Sequence, residues 1–253
     1  TPNSQLTVED SERLRPMPRS HSLLATLALL TVVAGSGCGR HEVQTEFHFA
    51  HGYHFSNAER AAIQSVADAT AREVRTLLPT LPSGIVLRVL AGEPGDVIPE
   101  TGETALAIPP ATVQLTIDPT RPGGVAAVVD RELRACLFHE FHHLVRYQAV
   151  GRSHELMDNV VLEGLATAFE RDFAGARSPW GIHPEAPEQW LEELLAQPPG
   201  VELRPWLGRH DDGRRWIGLR TGTWLVDRAI AKGGGSPASL VAARTADILG
   251  RAR

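Results

Sequence analysis

The sequence CLFHEFHHLV at residues 136–145 decides which fold and which chemistry the chain can support. It lies within a segment of helical periodicity, residues 125–149, that Gly151 is expected to end. In a helix, His139 and His143 leave the same face one turn apart. Two imidazoles at this spacing can bind one metal ion, each through one ring nitrogen. The stretch therefore predicts a metal site on a helix.

Glu140 supplies the second feature of this motif. It follows His139 directly, which places it about 100° further around the helix axis. At that angle the carboxylate is poorly placed to join the histidines as a ligand, but it can reach a water molecule at the metal. A carboxylate in this position is the proton shuttle of zinc hydrolases. The apolar neighbours of the motif predict a buried helix, where imidazoles and a carboxylate are costly unless paired or metal-bound.

A third protein ligand is needed, because catalytic zinc takes three and keeps one position open for water. A metzincin would carry glycine at position 146 and histidine at 149, and the chain has Arg146 and Ala149 there, which excludes that class. Glu163 follows the second histidine by 20 residues and stands in the apolar sequence LEGLA at 162–166. A charged residue in such surroundings needs a partner. Glu163 is the favoured third ligand, with His154 as the alternative.

These motifs resemble a known class of enzymes. HExxH followed by Glu-Gly-Leu-Ala on the next helix resembles the gluzincin clan of metallopeptidases. The doubled histidine, the Ser-Pro-Trp at 178–180 and the Gly-Leu-Arg-Thr-Gly at 218–222 are similar to a domain family of unknown function described as predicted Zn-dependent proteases. The resemblance covers roughly residues 58–249. That family usually carries tyrosines near positions 219 and 223, where this chain has Leu219 and Thr223.

The resemblance implies a peptidase that hydrolyses peptide or protein substrates with a water activated by one Zn²⁺ ion. The metal ligands would be His139, His143 and Glu163, with Glu140 as general base. A second donor must stabilise the oxyanion, and the candidates are Tyr147, His154, His210 and Arg220. Two residues on the face of Glu163 are candidates to orient the metal-binding histidines, namely Thr167 and Glu170. By analogy, the strand at 112–117 would be the sheet edge that pairs with an extended substrate.

The order of predicted elements defines an α+β fold, zincin-like, with a small mixed sheet and the active-site helix followed by a mostly helical C-terminal half. Alternating or apolar runs predict four strands, at 43–49, 85–90, 104–108 and 112–117. Helical patterns and end signals predict six helices, at 57–78, 125–149, 159–173, 186–196, 213–232 and 237–249. Residues 38–253 are expected to form a single metallopeptidase domain.

The N-terminal region has the pattern of a secretory signal peptide. An apolar run at residues 23–34 is shorter than the ~20 residues that span a bilayer. It is preceded by Arg19 and followed by small residues up to Cys38. Residues 17–37 would be the signal peptide and residues 1–16 a non-native or disordered leader. Cys38 resembles the lipidated cysteine of bacterial lipoproteins, so we expect an exported envelope lipoprotein or a secreted protein.

Composition limits the remaining alternatives. The chain has 253 residues, of which 42% are apolar, and a net charge of −5 without a Lys/Arg-rich block. No nucleic-acid partner is expected from such a pattern, and membrane contact is expected only through the lipid anchor. Two cysteines cannot form a disulfide framework. Two other functions stay open: a non-catalytic metal-binding envelope lipoprotein with a zincin fold, and a zinc hydrolase of a non-peptide amide or ester. The oligomeric state stays open too.

Overall fold

The computed structural model describes residues 41–253. The expected signal peptide, the leader and Cys38 lie outside these residues, so export and lipidation stay predictions. The described part contains one four-stranded sheet and eight α-helices, most of which follow the sheet in the chain. This confirms the α+β class. None of the helices in residues 41–253 combines the length and the apolar character needed to cross a bilayer.

The sheet has the spatial order β1-β2-β4-β3. Its strands are β1 at Val43–His48, β2 at Ile85–Ala91, β3 at Glu103–Ile108 and β4 at Thr112–Ile117. The first three in spatial order are parallel, and a short hairpin turns β3 antiparallel onto the outside of β4. The prediction that residues 112–117 form the edge is therefore wrong. Because β4 pairs with β2 on one side and β3 on the other, the free edge on this side belongs to β3.

Helix α1, at Asn57–Leu77, starts as the sequence predicts. The Ser56 hydroxyl accepts a hydrogen bond from the backbone N–H of Glu59 at 3.2 Å, and the Glu59 carboxylate accepts one from the Ser56 N–H at 2.7 Å. This reciprocal capping box satisfies two N–H groups that a helix start leaves unpaired. One face of the helix packs on the sheet through Ile63, Ala67 and Val74.

The long helix predicted over 125–149 is divided in two. Helix α2 runs over Gly124–Arg131 and α3 over Leu133–Val150, with Glu132 between them at φ −115°. Both helices pack against α1, and α3 also contacts β3. Gly151, at φ 81°, ends α3 as predicted. The motif helix α3 is buried from Leu137 to Arg146.

The C-terminal half is helical, with boundaries that differ from the prediction. Its helices are α4 at Leu156–Phe169, α5 at Pro187–Leu195, α6 at Arg204–Leu207, α7 at Ile217–Gly233 and α8 at Thr245–Ala252. A π-helical turn, Glu170–Ala174, follows α4. The predicted start of the last helix at Pro237 is wrong, because residues 237–242 form turns. Arg244 and Asp247 cap α8 instead.

Helices α4 and α7 cross with their backbones in contact. A Cβ placed on Gly164 would lie 2.2 Å from the carbonyl carbon of Gly222, and a Cβ on Gly222 would lie 2.0 Å from the carbonyl oxygen of Val160. No side chain fits at either position without moving a helix, so these two glycines set the position of α4. The same helix carries Glu163.

Candidate metal centre

Helix α3 presents the two histidines of the motif to one point. The rings of His139 and His143 meet edge to face, with centroids 4.5 Å apart. The Nε2 atom of each ring faces the carboxylate of Glu163 on α4, at 3.2 Å for His139 and 3.5 Å for His143. Each histidine meets a different oxygen of that carboxylate. The packing of α3 and α4 thus brings two imidazoles and one carboxylate together.

The separations between the Glu163 carboxylate and each histidine are close to those of ligands on one zinc ion. Ligand atoms about 2.0–2.1 Å from a tetrahedral zinc are about 3.3–3.4 Å from one another. The two separations between Glu163 and the histidines lie on either side of that value. Burial acts to raise the pKa of Glu163, but the neighbouring His143 and His139 outweigh it and hold the pKa well below its ordinary range. An ionised carboxylate beside two imidazoles is a donor set that zinc prefers.

Glu140 lies at the same point on α3. One ligand atom each from His139, Glu140 and His143 lie within 4.8 Å of one another, so these three residues could also hold a metal ion. The Oε2 atom of Glu140 is buried and has no hydrogen-bond partner within residues 41–253. Burial is the main cause that raises the pKa of Glu140. A buried carboxylate with an unpaired oxygen is costly, and a metal or a water held at the histidines would relieve that cost.

Glu170 contacts His139 at Nδ1, the ring nitrogen that does not face Glu163. Its Oε2 atom lies 3.1 Å from Nδ1 of His139, and the Glu170 side chain is only 2% exposed. The other oxygen accepts hydrogen bonds from the Ser178 hydroxyl at 2.7 Å and the Trp180 indole N–H at 3.0 Å. A carboxylate at Nδ1 keeps the proton on that nitrogen and leaves Nε2 free to bind a metal. Glu163 lies on α4, and Glu170 opens the π-helical turn that continues it. Because they are seven residues apart, both side chains lie on the same face.

Comparison with known families identifies the family of the chain. Residues 98–250 match the model of a family described as predicted Zn-dependent protease (DUF2268). The chain belongs to this family. The matched region runs from the residues just before β3 into α8 and contains both histidines, Glu140 and Glu163. No curated protein and no solved structure matches the chain.

Two candidates for the oxyanion donor, Tyr147 and His154, follow the histidines closely in sequence. One of them, Tyr147, contacts the site. The ring of Tyr147 stacks on that of His143, with centroids 6.0 Å apart and planes 26° apart. Burial raises the pKa of Tyr147 to about 12, so its hydroxyl stays protonated at neutral pH. His154 is exposed in the loop before α4. Tyr147 is therefore the better placed of the two to meet a substrate at the histidines.

The other candidates, Thr167, Arg220 and His210, form no hydrogen bond with the two histidines of the motif. Thr167 is buried, and its hydroxyl has no hydrogen-bond partner among the described residues. Arg220 donates to the backbone carbonyls of Ile182 and His183, at 2.7 and 3.0 Å. His210 pairs with Asp212 at 3.0 Å. None of these contacts involves the two histidines of the motif.

A small acidic cluster surrounds His210. One ligand atom each from Glu193, His210 and Asp212 lie close enough to hold a metal ion. Arg214 already occupies the space between the carboxylates, donating to Glu193 at 2.6 and 2.7 Å and to Asp212 at 2.7 Å. The guanidinium thus neutralises the charge that would attract a cation.

Sequence reasoning missed one buried acid beside the centre. Glu103, the first residue of β3, is 4% exposed and lies near Cys136, one helical turn before Glu140. Burial raises the pKa of Glu103 to about 7, and the charges of Glu140 and Glu170 act in the same direction. The available indication was a glutamate that opens a strand with no other charged residue. Only the packing of α3 against β3 places this side chain near Cys136.

We expect Glu103 to make stability fall with rising pH. Its folded-state pKa of about 7 lies above the ordinary value of 4.5, so the folded state binds this proton more tightly than the unfolded state. That stabilisation is complete below pH 4.5 and is lost between pH 4.5 and 7. The loss lowers the free energy of unfolding by at most about 3 kcal/mol. Glu103→Gln should therefore raise the free energy of unfolding at pH 8, in EDTA, by up to that amount. Urea unfolding at pH 5 and 8 measures it.

The exposed Glu202 provides the matched control. Glu202→Gln should unfold like the unchanged protein at both pH values. If Glu103→Gln keeps the pH dependence of the unchanged protein, burial does not raise the pKa of Glu103 as described.

Proposed function

We propose that the protein is a zinc-dependent peptidase of the gluzincin type, in which His139, His143 and Glu163 hold one metal ion. The observation that carries the proposal is the carboxylate of Glu163 facing Nε2 of both histidines at 3.2 and 3.5 Å. The alternative third ligand, Glu140, is better placed as the general base, because Glu163 already faces both imidazoles. Membership of the family described as predicted Zn-dependent proteases supports the same assignment.

Zinc held there would supply a Lewis acid that lowers the pKa of water towards ~7 and polarises the scissile carbonyl. Glu140 takes the proton from the attacking water and then delivers it to the leaving amine. The burial that raises the pKa of Glu140 makes it a stronger base than an exposed carboxylate. Glu170 keeps His139 oriented through Nδ1 during this step.

Tyr147 is the oxyanion donor that the geometry favours. Its ring is the one that stacks on His143, and its raised pKa keeps a proton on the hydroxyl. A neutral phenol near the carbonyl can donate a hydrogen bond to the developing negative charge. His210 and Arg220, proposed from the sequence for this role, are held by Asp212 and by backbone carbonyls instead.

A peptide or protein is the substrate class we propose, and β3 is the surface that would align it. Strand β3 packs against α3, the helix that carries Glu140. Strand β3 is at the edge of the sheet, and its Leu106 is exposed. An extended peptide can add to such an edge by main-chain hydrogen bonds, which would bring its scissile bond to Glu140.

Metal loading tests the proposal directly. We expect one zinc ion per chain, casein hydrolysis that stops with 1,10-phenanthroline, and recovery of hydrolysis when zinc is restored. Glu163→Gln removes the charged ligand and should weaken zinc binding by more than about 100-fold, since even loss of a group that only orients a ligand costs 10–100-fold. Isothermal titration with zinc measures this.

Glu155→Gln is the control, because Glu155 is an exposed residue at the start of the same helix. It should bind zinc as the unchanged protein does. Zinc binding that is equally tight in Glu163→Gln would rule out the proposed ligand set. Stoichiometric zinc without hydrolysis of any peptide would favour the non-catalytic alternative.

A further inference from the structure

A cavity of about 330 Å³ lies beside the metal centre, where the end of α3 meets the starts of α4 and α8. Tyr147 is part of its wall, and the same ring stacks on His143. Leu162, the residue before Glu163, forms another part of the wall. The cavity is therefore separated from the metal ligands by the Tyr147 ring, and its volume lies at the lower end of the range for small-molecule sites.

Arg146 is the unusual residue of this wall. It is only 2% exposed, and its Nη1 atom donates to the carbonyl oxygens of Val241 and Ala243, each at 2.9 Å. Its Nε atom has no hydrogen-bond partner among residues 41–253. None of the carboxylates in that range lies within 4.0 Å of its guanidinium nitrogens. A buried guanidinium without a direct ion pair is costly, because burial removes its hydration.

The rest of the wall adds positive potential. Arg244 and the first turn of α8, Thr245 and Ala246, line the cavity, and the N-terminal end of a helix attracts anions. Arg152 lies over the Tyr147 ring, with its guanidinium carbon 5.5 Å from the ring centroid. These cations and the helix end make the cavity suited to a negatively charged group.

Two acids offset part of this charge, and one of them, Asp158, acts on Arg146 from beyond ion-pair distance. Asp158 lines the cavity and accepts a hydrogen bond from the Ser153 hydroxyl at 2.6 Å. Asp247 pairs with Arg244 at the cap of α8. Three arginines at the cavity, Arg146, Arg152 and Arg244, thus face two acids, which leaves one positive charge in excess.

We propose that this cavity is a specificity subsite that binds a carboxylate of the substrate, through Arg146 with Arg244 and the first turn of α8. The inference rests on the proposed peptidase function and narrows its substrates to peptides with an acidic side chain or a free C-terminus near the scissile bond. A guanidinium binds a carboxylate in a planar, two-point arrangement that an uncharged amide does not reproduce.

The test measures binding without turnover. Zinc-loaded Glu140→Gln protein is titrated with hexapeptides that differ only by Glu or Gln at one position, each with a free or an amidated C-terminus. We expect the acidic peptide to bind at least about tenfold more tightly at one position or through the free C-terminus. The Glu series detects an acidic side chain, and the amidated series detects the C-terminal carboxylate.

Added substitutions assign the preference to the cavity. Arg146→Gln should abolish the preference and Arg244→Gln should reduce it severalfold, because each removes a positive charge from the wall. Arg88→Gln, which changes an exposed arginine on β2, should leave it intact. The buried Arg146 also donates to two backbone carbonyls, so Arg146→Gln can disturb folding. If Arg146→Gln does not fold, Arg244→Gln and Arg146→Lys test the same prediction.

The failures of the two proposals are distinguishable. If the unchanged protein hydrolyses casein but its Glu140→Gln form binds acidic and neutral peptides equally, the subsite is wrong while the peptidase stands. The subsite is equally overturned if Arg244→Gln and Arg146→Lys both keep the full preference. If casein is not hydrolysed, succinate serves as a probe. Binding of succinate that Arg146→Lys or Arg244→Gln weakens supports the carboxylate site, and absent binding overturns it.

Discussion

Glu140→Gln is expected to leave one zinc ion bound per chain and to lower the rate of casein hydrolysis by about a thousandfold. General acid–base catalysis raises reaction rates by 10²–10⁴-fold. We assign this role to Glu140 because, unlike Glu163, it lies at the histidine pair without facing both Nε2 atoms. Glutamine has nearly the same shape but cannot accept the proton of the attacking water. The measurements are the zinc content of the purified protein and the initial rate of casein cleavage at saturating zinc.

This substitution also decides between two roles for Glu140. Its carboxylate lies within 4.8 Å of ligand atoms of His139 and His143, so it could serve as a ligand instead. A ligand role predicts that Glu140→Gln loses zinc and that Glu163→Gln keeps it. The base role predicts the opposite pair of results. Hydrolysis that proceeds at the unchanged rate in Glu140→Gln would exclude both roles.

Gly222→Ala is expected to destabilise the protein by about 3 kcal/mol, at the upper end of the usual cost of overpacking a core. The added Cβ would lie 2.0 Å from the carbonyl oxygen of Val160 and 3.1 Å from the backbone of Gly164, and rigid backbone cannot move aside as a flexible side chain can. Helix α4 must therefore shift, and Glu163 with it. We expect weaker zinc binding, although Gly222 lies outside the metal-binding motif. Urea unfolding and zinc titration measure the two effects.

Gly250→Ala is the matched control for this substitution. Gly250 lies within α8, and a Cβ there would meet no atom within 4 Å. Alanine favours a helix over glycine by about 1 kcal/mol, so this variant should be as stable as the unchanged protein or more stable. If Gly222→Ala matches it in stability and in zinc affinity, the glycine crossing does not position Glu163.

The part of the fold that local signals encode was predictable from the sequence. The capping box at Ser56 and the stop at Gly151 are local backbone requirements, and the structure confirms both. The break at Glu132 and the late start of α8 were not predictable, because neither is marked by a proline or a glycine at the position concerned. Long-range packing decides such positions against local propensity.

In the candidate site, too, local signals in the sequence predict some features and long-range packing decides others. Helical periodicity by itself places His139 and His143 on one face, and the apolar surroundings of Glu163 show that it needs a partner. Only the tertiary structure brings Glu163 to both imidazoles, puts Glu170 behind one of them and opens a cavity at Arg146. It also places β3, not β4, at the sheet edge. A sequence determines which side chains share a face, whereas the order of strands and the crossing of helices follow from contacts between residues far apart in the chain.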